Sequence, residues 1–172
     1  MEKNEQTPLT RSLILLLSIT CGVVVANMYY IQPIGTKVAT SLSVSTSAVG
    51  ILTMLTQLGY ALGLLFLVPL GDVVDRPKLI IRMAALSAIS LLAAFFAPSF
   101  TLFACASFLI GLLSIVPQII IPYGAVLAGP KARGKVMGTL LSGLLVGILL
   151  SRTVSGIVAC LLYTSDAADD LI

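Results

Sequence analysis

The side chains able to do polar chemistry in this 172-residue chain fall into two groups. One is a charged stretch, GDVVDRPKLIIR (71–82), which places Asp72, Asp75, Arg76, Lys78 and Arg82 in a sequence only 10% charged. The other is a set of uncharged polar residues at helical spacing inside apolar runs. Ser107, Gly111, Ser114 and Gln118 stand at i, i+4, i+7 and i+11. Thr53, Gln57 and Tyr60 share a second face, and Asn27, Tyr30 and Gln32 follow one another on a third run. Such groups within a membrane face a neighbouring helix or a water-filled cavity. Three faces on three segments favour a common polar cavity lined by Asn27, Tyr30, Gln32, Gln57, Tyr60, Ser107 and Gln118. Simple helix–helix hydrogen bonding is the plainer alternative for each.

Catalysis finds little support. The chain has no His, which removes Ser-His-Asp and Cys-His arrangements, and no pair of carboxylates lies within an apolar run. Cys21, Cys105 and Cys160 are too far apart for a metal motif and read as small packing residues. An enzyme is not expected, nor a cofactor or metal. The +3 net charge calls for no nucleic acid, because the cations flank apolar segments instead of forming one basic face.

The elements that must position these groups are membrane helices. The chain is 58% hydrophobic with a mean hydropathy of +1.10, and a crossing helix needs about 20 apolar residues. The uncharged run 83–130 would extend about 72 Å as one helix, twice a bilayer, so it must fold back, with Ala97-Pro98-Ser99 as its turn. Five spans are expected, about 12–34, 47–70, 79–97, 101–123 and 134–157, each helical because lipid satisfies no backbone polar group. The fold class is therefore an all-α integral membrane protein. With the N-terminus in the cytoplasm, Lys3, Arg11, Arg76, Lys78, Arg82, Lys131, Arg133 and Lys135 lie inside, Lys37 falls in an outer loop, and Arg152 sits within the fifth span. That bias follows the positive-inside rule, and Arg152 is placed to snorkel or pair near the outer surface. Gly59 and Gly63 form a GxxxG, and Gly143, Gly147, Ser151 and Ser155 recur every four residues, as helix-packing stripes do.

The charged stretch has a sufficient local account. Gly71 permits a turn, Asp75 and Arg76 bring opposite charges together, Pro77 suits a first helical turn, and Asp75 could cap it. It also resembles a family signature. Gly71, Asp75 and Arg76 match the G-x-x-x-D-R/K loop between the second and third helices of the major facilitator superfamily, with Lys78 where a second Gly would stand. The stretches NMYYIQPIG, TQLGYALGLLFLVPLGD and RGKVMGTLLSGLLVGILLSRTVSG are similar to its proton-coupled drug and sugar efflux permeases, over about residues 8–159.

That resemblance implies five helices of a six-helix N-terminal half, alternating access, and a latch at Gly71, Asp72, Asp75, Arg76 and Lys78 that closes on a C-terminal half of the same polypeptide. It implies a small organic solute and protons as partners, export across the bacterial inner membrane, and the Gly59/Gly63 and Gly143/Gly147 stripes as packing surfaces in the lipid bilayer. Two positions depart from the efflux pattern: Ser107 stands where an Arg often precedes Gly111, and Ile148 where a Pro follows Gly147. An uptake permease of the same superfamily and a small membrane scaffold are the alternatives. Residues 1–159 form the expected partial bundle. The end, CLLYTSDAADDLI, resembles translated sequencing adapter, so 160–172 is expected to be a non-native tail.

Overall fold

The computed structural model describes residues 10–169, with side chains throughout except at 31–34, 36, 46 and 162–169. It is all-α: α1 (Arg11–Ala26), α2 (Ile31–Ser41), α3 (Thr46–Val73), α4 (Arg76–Phe95), α5 (Phe100–Leu113) and α6 (Val116–Asp169). Three helical stretches, Ser47–Val73, Arg76–Phe95 and Phe100–Leu161, are long and apolar enough to cross a membrane. The last, at 62 residues, is about 93 Å long and must cross more than once. Gly129 divides it. Its φ of 67° and ψ of 173° turn α6 into two limbs, 116–128 and 130–169, in a region essentially open to glycine alone. Pro130 follows at once, where a new helix tolerates a missing N–H.

Two spans are each built from two helical pieces, and proline explains both joints. Pro33 cannot donate to the carbonyl of Tyr29, four residues earlier. Just before it the ladder tightens, with Asn27, Met28 and Tyr29 donating three residues back to Val24, Val25 and Ala26. The first span thus runs from Arg11 to Ser41 through a joint at 27–30, longer than the expected 12–34, and Lys37 lies on α2, not in a loop. Pro117 likewise denies a bond to Leu113. There the Ser114 amide is shared between the carbonyls of Ile110 and Gly111, and Gln118 donates to Ile115 at 2.8 Å. Such i→i+3 segments mark hinges within otherwise α-helical runs.

Packing rests on two seams between parallel spans. Along α1 and the second limb of α6, Ser18 lies on Gly143, and Gly22 between Gly143 and Gly147; a methyl at Gly22, Gly143 or Gly147 would overlap the facing backbone. Ser18 Oγ donates to the Thr139 carbonyl at 3.0 Å across this seam. Along α3 and α5, Gly59 meets the Phe108 carbonyl, Gly63 that of Leu112, and Gly111 that of Thr56. Without a hydrophobic drive in lipid, close backbone approach is what gives such helices their dispersion contact.

Ile115, Val116, Ile120, Leu140 and Cys21, all essentially inaccessible, form the centre where α1, α5 and both limbs of α6 meet. The joint at 114–115 therefore lies in the middle of the core. Outside, Leu16, Met54, Phe66, Ile89, Leu149 and Leu161 are exposed, an apolar exterior suited to lipid. Because the seams are parallel, Arg11, the 71–82 stretch and the Gly129–Lys135 corner share one end of the bundle, its basic end.

Candidate functional site

At the basic end, α3 continues through Gly71 to Val73, so Gly71 is helical and the turn is made by Val74 and Asp75. Arg76, on the first turn of α4, reaches back across that turn. Its Nε donates to the Gly71 carbonyl at 3.0 Å, and its Nη2 to Asp72 Oδ1 at 2.8 Å. One guanidinium thus satisfies a carbonyl that helix termination orphans and sits at the negative end of the α3 dipole. Asp75 occupies the N-cap position but accepts no capping bond; its carboxylate instead pairs with Lys78 at 3.0 Å. The pairing differs from the adjacent-charge expectation: Asp72 holds Arg76, and Lys78 holds Asp75. These pairs are largely exposed, so each contributes only about 0.3–0.5 kcal/mol. The value of the Arg76 contacts is positional, because they tie the end of α3 to the first turn of α4, whereas the Asp75–Lys78 pair is local to α4.

The uncharged polar residues divide into separate places. Gln118, exposed on the first limb of α6, donates through Nε2 to the Tyr60 hydroxyl on α3 at 3.0 Å. Gln57, one turn before Tyr60, is also exposed. Asn27 lies elsewhere, at the joint of the first span, with Nδ2 3.5 Å from Ser87 Oγ on α4. Thr20, Asn27 and Ser87 line a groove of about 300 Å³ between α1 and α4. Ser107 is buried and donates to the Phe103 carbonyl one turn earlier in its own helix. Tyr30 is half-buried beside Asn27 at the joint. The Gln32 side chain lies outside the described residues.

Three features were not read from the sequence. Ser87 sits on a buried stripe of α4, Met83, Ser87, Ser90 and Ala94 at i, i+4, i+7 and i+11, a spacing that was available as a signal. Gly22 completes the α1 seam opposite Gly143. Arg152 places its guanidinium carbon 5.1 Å from the centroid of Tyr29, the last residue of the tightened turn. A guanidinium stacked on a ring keeps its in-plane donors available to other partners.

Parallel seams of small residues, proline-jointed spans and the α3–α4 charge lock describe a polytopic bundle with polar groups on its open faces. Against known proteins, the family model of the Major Facilitator Superfamily matches residues 16–164. The chain belongs to that superfamily. It is 48% identical over 151 residues to the uncharacterized transporter YgaY of Escherichia coli, a match covering 88% of this chain and 38% of the relative. It is 31% identical over 142 residues to the probable transporter SCO4007 of Streptomyces coelicolor, covering 83% of this chain and 33% of that protein. No solved structure gives a significant match. The chain thus spans less than two fifths of the curated relatives it matches, and it is a multi-pass membrane protein with a partial major-facilitator fold. In this chain the Gly71–Lys78 stretch joins α3 to α4, and the joints at 27–30 and 114–115 separate α1 from α2 and α5 from α6.

Proposed function

We propose that this chain is the N-terminal portion of an inner-membrane permease that exports a small organic solute in exchange for protons by alternating access. Its N-terminus and basic end face the cytoplasm, as the count of flanking Lys and Arg supports. The observation that carries the reading is the placement of Gln57, Tyr60 and Gln118 on open polar ground of a transporter-family bundle, with Tyr60 and Gln118 already hydrogen-bonded to each other. In this reading that surface faces a substrate cavity completed by a C-terminal half, while Asn27 serves the separate groove between α1 and α4. Neutral amides and phenols suit a solute recognised by hydrogen bonds. Asp75 and Arg76, braced by Lys78 and Asp72, form a latch against that half, and rocking the halves alternately exposes the cavity.

The test uses the full-length protein in acid-loaded inverted vesicles with a fluorescent pH probe. Addition of a transported solute from a panel of uncharged and weakly charged organics should discharge the gradient, and Gln118→Leu or Tyr60→Phe should slow that discharge at least tenfold. Solute-driven alkalinisation that persists in both variants would remove these residues from the pathway. Solute movement in the opposite direction would make the protein an uptake permease.

A further inference from the structure

A second cleft, at the basic end, lies apart from the polar surfaces above. It opens between the start of α1 and the second limb of α6, with a volume of about 560 Å³. Its walls are apolar, contributed mainly by Ile14, Leu15 and Val136, and Thr139 adds a hydroxyl. Two cations stand on its rim, Arg11 from one wall and Lys135 from the other. They come from helices joined by the Ser18–Thr139 hydrogen bond in the α1–α6 seam, which ties the two walls to each other.

Among the described residues, no carboxylate compensates the charge at this rim. Asp72 and Asp75 are the only carboxylates whose side chains are described, and they are taken by Arg76 and Lys78. Neither Arg11 nor Lys135 has an ion pair among the described residues, and Lys131 and Arg133, both exposed, stand close by in sequence. Two cations lining one apolar cleft, at the end of a membrane bundle, suit an anion attached to a hydrocarbon chain. A soluble anion would satisfy the rim and leave the walls bare.

We propose that this cleft binds an anionic phospholipid, with its phosphate diester held between Arg11 and Lys135 and an acyl chain lying along Ile14, Leu15 and Val136. Basic pockets between transmembrane helices are suited to such head groups. A lipid seated there bridges α1 and α6 outside the glycine seam and ties the first and fifth spans together at the membrane surface. The proposal rests on the membrane placement of the basic end and not on any transported solute.

The full-length protein, purified in neutral detergent, is titrated with phosphatidylglycerol, phosphatidylethanolamine or inorganic phosphate, and lipid retention is read by native mass spectrometry. Phosphatidylglycerol should be retained in preference to phosphatidylethanolamine. The double variant Arg11→Gln/Lys135→Gln should bind it roughly thirtyfold more weakly, at about fivefold per cation. The exchange Arg11→Lys/Lys135→Arg, which keeps both charges, should bind as the parent does, and Lys131→Gln should change retention little. Equal retention of both lipids, or parent-like binding by the double Gln variant, overturns the proposal. Displacement of the lipid by millimolar inorganic phosphate would make the site one for a soluble anion, also against it. Lipid binding with no solute-dependent proton movement would defeat the transport reading alone.

Discussion

The α1–α6 seam predicts a sharp contrast between two glycines of one helix. An added Cβ at Gly147 overlaps the Gly22 carbonyl and Cα, whereas one at Gly138 meets nothing within 4 Å. Both Gly→Ala changes gain helix propensity of about 0.5–1 kcal/mol. At Gly138 that gain is the whole effect. At Gly147 the backbones must separate, and overpacking of this kind costs about 1–3 kcal/mol. Separation also strains the Ser18–Thr139 hydrogen bond, one turn further along the seam, where an interhelical bond in a membrane contributes about 0.6 kcal/mol on average. Propensity cancels in the comparison, so Gly147→Ala should be less stable than Gly138→Ala by about 1–3 kcal/mol. For a domain of this size that corresponds to roughly 2–12 °C in unfolding midpoint. Thermal unfolding of each purified variant in one detergent, followed by size-exclusion fluorescence, measures the gap. Equal midpoints would refute the seam as a close-contact surface, whatever the absolute values.

Further predictions bear on other contacts. Gly129→Ala should destabilise the protein by about 1–3 kcal/mol, because φ of 67° with ψ of 173° is closed to L side chains; the same melting assay reads it. Arg76→Lys should lose the paired contacts to Gly71 and Asp72 that one guanidinium makes, and increased protease cleavage between α3 and α4 would report the loosened turn. A Tyr60→Phe and Gln118→Leu double-mutant cycle should give a coupling near 0.6 kcal/mol in unfolding free energy, and a coupling of zero would remove the hydrogen bond. Tyr29→Leu should destabilise by about 0.5–2 kcal/mol more than Tyr29→Phe, which keeps a ring beneath Arg152.

What was legible in the sequence follows from the range of the forces involved. Helical crossings were legible because a bilayer imposes a length on apolar runs, and the fold-back at 96–99 because 48 uncharged residues exceed it. The joints could have been read as well, since Pro33 and Pro117 name the carbonyls they leave without donors four residues earlier. The 71–82 stretch was legible as a junction, but its pairing was not: Asp72 lies one helical turn before Arg76, and only α3 continuing through Gly71 puts them in contact. Asn27 with Ser87, Tyr29 with Arg152, and Gly22 with Gly147 are meetings between distant segments. No local periodicity encodes them.

The α1–α6 seam also has a consequence for biogenesis. Ser18 and Thr139 are 121 residues apart in the chain. At a synthesis rate of about 5–20 residues per second, the first span is made some 6–24 s before its bonding partner emerges. For that interval its row of small residues, Ser18 and Gly22 among them, faces lipid or the insertion machinery in place of a helix. A nascent membrane protein built this way is vulnerable early, and a quality-control protease or insertase would find its first span unescorted for much of translation.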